Sequence, residues 1–121
     1  MYEYKATIGR WVDGDTVDVD IDLGFDVVLS DQRVRLYGVN TPETRTRDLA
    51  EKARGLAAKE YVNNMAPAGT VVKLITKTYD AKGKFGRILG EIEVDLGNGK
   101  YNVNQMLVNE GHATEYFGGK R

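Results

Sequence analysis

The chain of 121 residues contains no cysteine, a single histidine, a single serine and only two prolines. Without thiols there is neither a disulfide framework nor a thiolate zinc site, and His112 alone leaves no second imidazole for a histidine metal centre or for catalysis. Any bound metal must therefore be held by oxygen. Nothing around Ser30 resembles a nucleophile elbow, which argues against serine-triad catalysis. No run of about 18 apolar residues occurs, and the Met-Tyr-Glu-Tyr-Lys start lacks a basic stretch leading into an apolar one, so neither a membrane span nor a signal peptide is expected. With Met1 as the natural start the expectation is a cytoplasmic protein, or a secreted one if the chain is a processed form. The length and a 41% hydrophobic content fit one domain around one core, spanning 1–121.

Net charge is -1, but its distribution is uneven: residues 1–31 carry eight acids and two bases, whereas 71–90 carry five bases and one acid. Residues 32–70 are also basic, with seven bases and four acids. Such asymmetry can set a cationic patch beside an anionic pocket, the layout wanted by a site that draws in phosphates and holds a divalent cation. Ordinary surface pairing is the plainer reading of composition alone.

From Thr16 to Leu23 the apolar Val17, Val19, Ile21 and Leu23 alternate with Asp18, Asp20 and Asp22, as a half-buried strand requires. A strand is also expected over Tyr4 to Trp11, and Leu23-Gly24-Phe25-Asp26 can turn the chain into a third, running from Val27 to Leu36. The period then changes. Leu49, Ala53, Leu56, Ala57 and Tyr61 share one helical face, predicting a helix between Thr44 and Met65 closed by Pro67-Ala68-Gly69. Gly55 inside it costs about 1 kcal/mol relative to alanine. Val71 to Thr78 and Arg87 to Val94 read as two more strands, with Asn98-Gly99 as a tight turn after them. Val103, Met106 and Leu107, with Gly111 at a left-handed cap position, predict a short second helix.

Four short stretches hold polar residues that packing does not require. Asp13-Gly14-Asp15-Thr16 opens the second strand, and turn chemistry explains one of its carboxylates but not both. In Arg33-Val34-Arg35-Leu36 two arginines share a strand face; solvated strand arginines are common, but a guanidinium can also grip a phosphate bidentately. In Gly38-Val39-Asn40-Thr41-Pro42-Glu43 the proline stiffens a turn that holds the Asn40 side chain, the Thr41 carbonyl and the Glu43 carboxylate. Pro-Glu is equally ordinary helix-entry chemistry. Lys82-Gly83-Lys84-Phe85-Gly86-Arg87 is a glycine-flanked basic loop that could approach a phosphate closely, or a plain surface turn. Asp18-x-Asp20-x-Asp22 is not a calcium loop, because Leu23 and Leu29 stand where the EF-hand needs Gly and Glu.

Taken in order, Asp-Gly-Asp-Thr at 13–16, Arg-Leu-Tyr-Gly-Val-Asn-Thr-Pro-Glu at 35–43 and Lys-Phe-Gly-Arg at 84–87 resemble the staphylococcal nuclease family over about residues 3–117. The resemblance implies an α+β, mainly β fold: a five-stranded OB-type Greek-key barrel with two packed helices. It implies Asp15 and Asn40 as side-chain ligands of one Ca²⁺, with the Thr41 carbonyl as a backbone ligand. Arg35 and Arg87 would bind the scissile phosphate, and Glu43 would orient or deprotonate the attacking water. Lys84, Phe85 and Tyr116 would contact substrate, Tyr116 by stacking on a base, a core or rim aromatic being the other reading of that residue. The implied reaction is hydrolysis of DNA and RNA on the 5′ side of phosphorus, leaving 3′-phosphates, by a protein expected to be monomeric and without an obligate protein partner. Trp11 and His112 are assigned to structure.

The chain departs from the family pattern at several points. Asn40 replaces the usual Asp, which removes a negative charge and should weaken cation binding. Phe85 stands where Tyr is common and Gly83 where Asp is usual, and the chain ends at Arg121 before the further helix of longer relatives, which is therefore expected to be absent. The competing class is a non-catalytic nucleic-acid or protein-binding module on the same barrel. Retention of Asp15, Arg35, Glu43 and Arg87 argues against it, since degenerate modules lose these charges.

Overall fold

The computed structural model describes residues 2–79 and 87–116. Five long strands build the expected barrel: β1 (Tyr2–Asp13), β2 (Thr16–Asp22), β3 (Val28–Leu36), β5 (Val71–Tyr79) and β6 (Ile88–Asp95). They run β3-β2-β1-β5-β6 through antiparallel pairs, and a parallel pairing of β3 with β6 closes the ring. Closure bends the strands, and the ladders carry register shifts between Ile8 and Arg10, Val19 and Ile21, and Thr76 and Thr78, where bulges supply that bend. Short β4 (Val39–Asn40) pairs with β8 (Thr114–Glu115), and β7 (Lys100–Asn102) pairs antiparallel with the end of β6.

The alternation read from β2 holds. Val17, Val19 and Ile21 are at most 2% exposed and join Ile8, Val34, Leu36, Leu74, Ile92 and Val94 in the core, while the aspartates between them face out. Leu23 does not continue the pattern: the strand ends at Asp22 and Leu23 is 44% exposed. Here the hairpin extends past the barrel, and Gly24, Phe25 and Asp26 all take positive φ to turn it.

Helix α1 (Leu49–Met65) starts later than predicted, because Asp48 caps it by accepting from the Ala50 and Glu51 amides. Its inward face is also different. Gly55, Ala58 and Val62 are the buried residues, whereas Leu49 and Leu56 are 78% and 47% exposed and Ala53 and Ala57 are exposed too. The helix docks through small residues because backbone from the preceding loop lies directly against it, and no large side chain fits there. Tyr61 alone of the predicted face packs on the core, its ring 4.7 Å from that of His112. Trp11 lies in the core and its Nε1 donates to the Ala66 carbonyl, tying the end of α1 to β1. Helix α2 (Val103–Asn109) follows its prediction, with Gly111 at φ 76° after the cap. Among the described residues no helix is long and apolar enough to cross a membrane.

Candidate active site

The tight β1–β2 turn, Gly14–Asp15, points inward, and Asp15 is only 8% exposed. Gly14 is required by close approach: a Cβ there would lie 2.9 Å from the Ala58 Cβ and 3.1 Å from the Thr41 methyl. Asp15 is fully engaged. Its Oδ1 accepts from the Thr16 hydroxyl at 3.0 Å, its Oδ2 accepts from the Thr41 amide at 3.0 Å, and its carbonyl accepts from the Leu36 amide. Thus one residue stitches the end of β3 and the segment after β4 to the same turn.

Arg35 lies on β3 opposite Thr16. Its Nη1 donates to the Leu36 and Val39 carbonyls at 3.0 and 2.8 Å. Its Nη2 sits between two side-chain oxygens, 3.3 Å from Asn40 Oδ1 and 3.5 Å from Asp15 Oδ2. The side chains of Arg35 and Asp15 are 15% and 11% exposed, so this contact is shielded from bulk water more than a surface ion pair would be. Arg33, on the same strand face, turns elsewhere: it grips Asp18 through Nε and Nη2 at 2.8 and 3.1 Å, with Arg10 a further 3.5 Å contact. The Arg33 bond holds the Asp18 carboxyl below its usual pKa and raises that of Arg33 in return. Two arginines that periodicity could not tell apart therefore serve different ends.

Glu43 is exposed at the surface of the loop between β4 and α1, and the chain is fastened at Thr41 and at Thr44 on either side of it. On one side the Thr41 amide is held by Asp15; on the other the Thr44 hydroxyl donates to Asp13. The Glu43 amide donates to Glu51 at 3.1 Å. The underside of this bracket rests on α1, where a Cβ at Gly55 would lie 2.6 Å from the Glu43 carbonyl oxygen and 2.7 Å from that of Pro42. Both carboxylates of Asp13-Gly14-Asp15 are thereby accounted for: each anchors one end of the Pro42–Glu43 turn.

Arg87 stands just before β6, two residues from Leu89, the parallel partner of Arg35, and its Nε is buried. Asn40 on β4 pairs with Thr114 of β8, and the amide of Tyr116 donates to the Gly38 carbonyl at 2.9 Å, so Tyr116 lies along the strand that carries Asn40. Lys84 and Phe85 lie outside the described residues, as does the rest of the basic loop before Arg87.

Gly14, Gly55 and Asn104 were not foreseen as parts of this arrangement. Asn104, 4% exposed, donates to the Tyr37 and Gly90 carbonyls at 2.9 and 3.2 Å and accepts from the Ile92 amide, locking the turn after β3 to β6 and α2. Its only sequence signal is a polar residue within the apolar face of α2. For Gly55 the signal is a helix-weakening residue inside a helical pattern; for Gly14 it is a glycine between two carboxylates in a tight turn.

Among the described residues no group of three or more His, Cys, Asp or Glu is gathered. The oxygens that do converge, from Asp15 and Asn40 onto one guanidinium nitrogen, are hard donors. Beside them Thr41 is 3% exposed, with a buried hydroxyl lacking a hydrogen-bond partner among the described residues. In kind this donor set suits an oxygen-seeking divalent cation; in charge it offers one carboxylate.

The chain is similar to a thermonuclease of Staphylococcus intermedius, with 34% identity over 91% of this chain and 58% of that protein. It is also similar to an uncharacterized endonuclease of Escherichia coli, at 29% identity over 94% of this chain and 62% of the relative. An uncharacterized protein of Methanocaldococcus jannaschii is 30% identical over 94% of this chain and 60% of its own length. The chain thus spans about three fifths of the length of these relatives. The family model described as staphylococcal nuclease homologue matches residues 33–121. That match covers well over half of the sequence, and the chain belongs to the staphylococcal nuclease family.

Proposed function

We propose that this chain is a Ca²⁺-dependent nuclease domain that hydrolyses phosphodiester bonds of DNA and RNA on the 5′ side of phosphorus, leaving 3′-phosphates. The observation that carries the reading is the bracketed turn: Asp13 and Asp15 fasten Thr44 and Thr41 on either side of Glu43, while Asp15 and Asn40 also hold Arg35. An exposed glutamate on a fixed backbone, linked through Asp15 to a shielded guanidinium, suits attack of water on a phosphodiester.

In this reading Arg35 and Arg87 bind the scissile phosphate and stabilise charge on its non-bridging oxygens. Arg35 arrives preorganised, because the Leu36 and Val39 carbonyls fix the plane of its guanidinium. Glu43 orients or deprotonates a water, whose oxygen bonds to phosphorus as the bond to the 5′ oxygen breaks and that oxygen leaves as a hydroxyl, taking a proton from solvent. Lys84, Phe85 and Tyr116 contribute substrate contacts around the departing nucleoside. Asp15, Asn40 and the Thr41 carbonyl would hold the cation, which when bound offsets phosphate charge. With Asn40 in place of a second carboxylate the cation is held weakly, so millimolar rather than micromolar Ca²⁺ is expected, within the range of about 10⁻⁴–10⁻³ M for low-charge sites.

Digestion of single-stranded DNA, in Ca²⁺ and in chelator, tests this. Cleavage that requires Ca²⁺ and falls by about 10²–10⁴-fold in Glu43→Gln is expected. DNA binding without turnover, unchanged by Glu43→Gln, would instead identify a binding module.

A further inference from the structure

Next to the residues joined by the Asp13–Thr44 bond, a groove of about 610 Å³ runs between β1 and α1. Its walls include Arg10 and Val12 of β1, Arg45 of the loop, and Leu56, Lys59 and Asn63 of α1. We propose that this groove is a phosphate-binding tract for the single polynucleotide strand as it runs away from the scissile bond. The inference rests on the nuclease reading for its substrate class.

Three observations carry it. First, the groove and the bracketed turn are joined. Val12 precedes Asp13, Arg45 follows Thr44, and the Asp13–Thr44 hydrogen bond is the seam between them. A strand bound at Glu43 is thus within a few residues, along the chain, of the groove's lining.

Second, its charge is only partly compensated. Three cations line it against the single acid Glu60. Among the described residues neither Arg45 nor Lys59 is in an ion pair within 4.0 Å. Arg10 has only a 3.5 Å share of Asp18, which Arg33 already grips in two places, and its side chain is 70% exposed. Three cations gathered in a groove with one acid repel one another, and an entering polyanion removes that repulsion while releasing its own counterions.

Third, the groove also presents apolar surface. Leu56, 47% exposed, lies beside the cations where a sugar or base face would rest. The exposure of this large residue on α1, which periodicity expected to be buried, gains a reason.

The test uses the full chain and the double variant R45Q/K59Q, whose positions lie outside the proposed catalytic machinery. Binding of a fluorescein-labelled 20-nucleotide single strand is followed by anisotropy in chelator as salt is varied. Removing two phosphate contacts should lower the slope of log affinity against log salt by about 1.4, with affinity down about tenfold at low salt. Cleavage in Ca²⁺ should lose a similar factor in kcat/KM on the 20-mer and stay within about twofold on a dinucleotide too short to reach the groove. E60Q, which removes the lone acid, should tighten binding of the 20-mer. An unchanged salt slope, or equal losses on the long and short substrates, would overturn the proposal. Should the parent chain cleave neither substrate, the nuclease reading fails, while the salt slope in chelator still decides the groove.

Discussion

Asp13 and Thr44, 31 positions apart in the chain, are joined by a hydrogen bond from the threonine hydroxyl to the aspartate carboxylate. That bond fixes the chain just after Glu43, as the Asp15–Thr41 bond fixes it just before. Thr44→Val removes the hydroxyl and keeps the shape. Turnover should fall about ten- to a hundredfold, the scale of a misplaced catalytic group, with little change in substrate KM. Steady-state kinetics on single-stranded DNA check this; an unaltered kcat would show that Glu43 needs no such anchor.

Gly55 makes the second support. In an ordinary helix interior Gly→Ala gains about 1 kcal/mol, but here the new Cβ would meet the Glu43 and Pro42 carbonyl oxygens at 2.6 and 2.7 Å. Backbone cannot swing aside as a side chain would, so Gly55→Ala should instead cost about 1–3 kcal/mol. Urea unfolding at unchanged slope measures it, and the sign alone separates the two accounts.

Asn40 tests the cation site. If it is a ligand, Asn40→Asp adds a second carboxylate to the same donor set and should raise Ca²⁺ affinity on the order of tenfold. Calorimetric titration in a Glu43→Gln background reads binding without turnover. An unchanged titration removes residue 40 from the site.

Asp18 supplies a pH-dependent contribution to stability. Its carboxyl is held below the usual value chiefly by the Arg33 hydrogen bond, so the native state favours the ionised form. The stabilisation is complete above the unfolded-state pKa and is lost as pH falls through the folded one. Since the arginines on it are 44% and 70% exposed, it is worth at most about 1 kcal/mol. Asp18→Asn should therefore lose that amount at neutral pH and nothing in acid, where the parent residue is itself protonated. Parallel denaturation curves at the two pH values give the comparison.

Much of the barrel was legible in the order of residues. The alternation of β2 survives because a half-buried strand must send every second side chain to the core, and Gly111 marks the end of α2 because a left-handed cap needs it. The buried face of α1 is not legible there. Hydropathy ranks Leu49 and Leu56 above Gly55 and Ala58, yet the neighbour on that side is backbone, and closeness selects smallness over apolarity. Likewise, nothing in Arg33-Val34-Arg35 distinguishes its two guanidiniums. Asp18 lies across from one on β2 and Asp15 lies near the other, and only cross-strand register decides that.

By itself, then, the sequence determined which chemistry was possible: oxygen ligands and no thiols, and a stiff Asn-Thr-Pro-Glu turn that local dihedral preferences impose. Those are properties of residue types and their immediate neighbours. The tertiary structure decided which carboxylate fastens which threonine, which arginine faces Asp15, and why two glycines are needed beneath the turn. Such choices depend on contacts between segments far apart in the chain, set by strand register and by how closely α1 can approach, and these exist only once the barrel has closed.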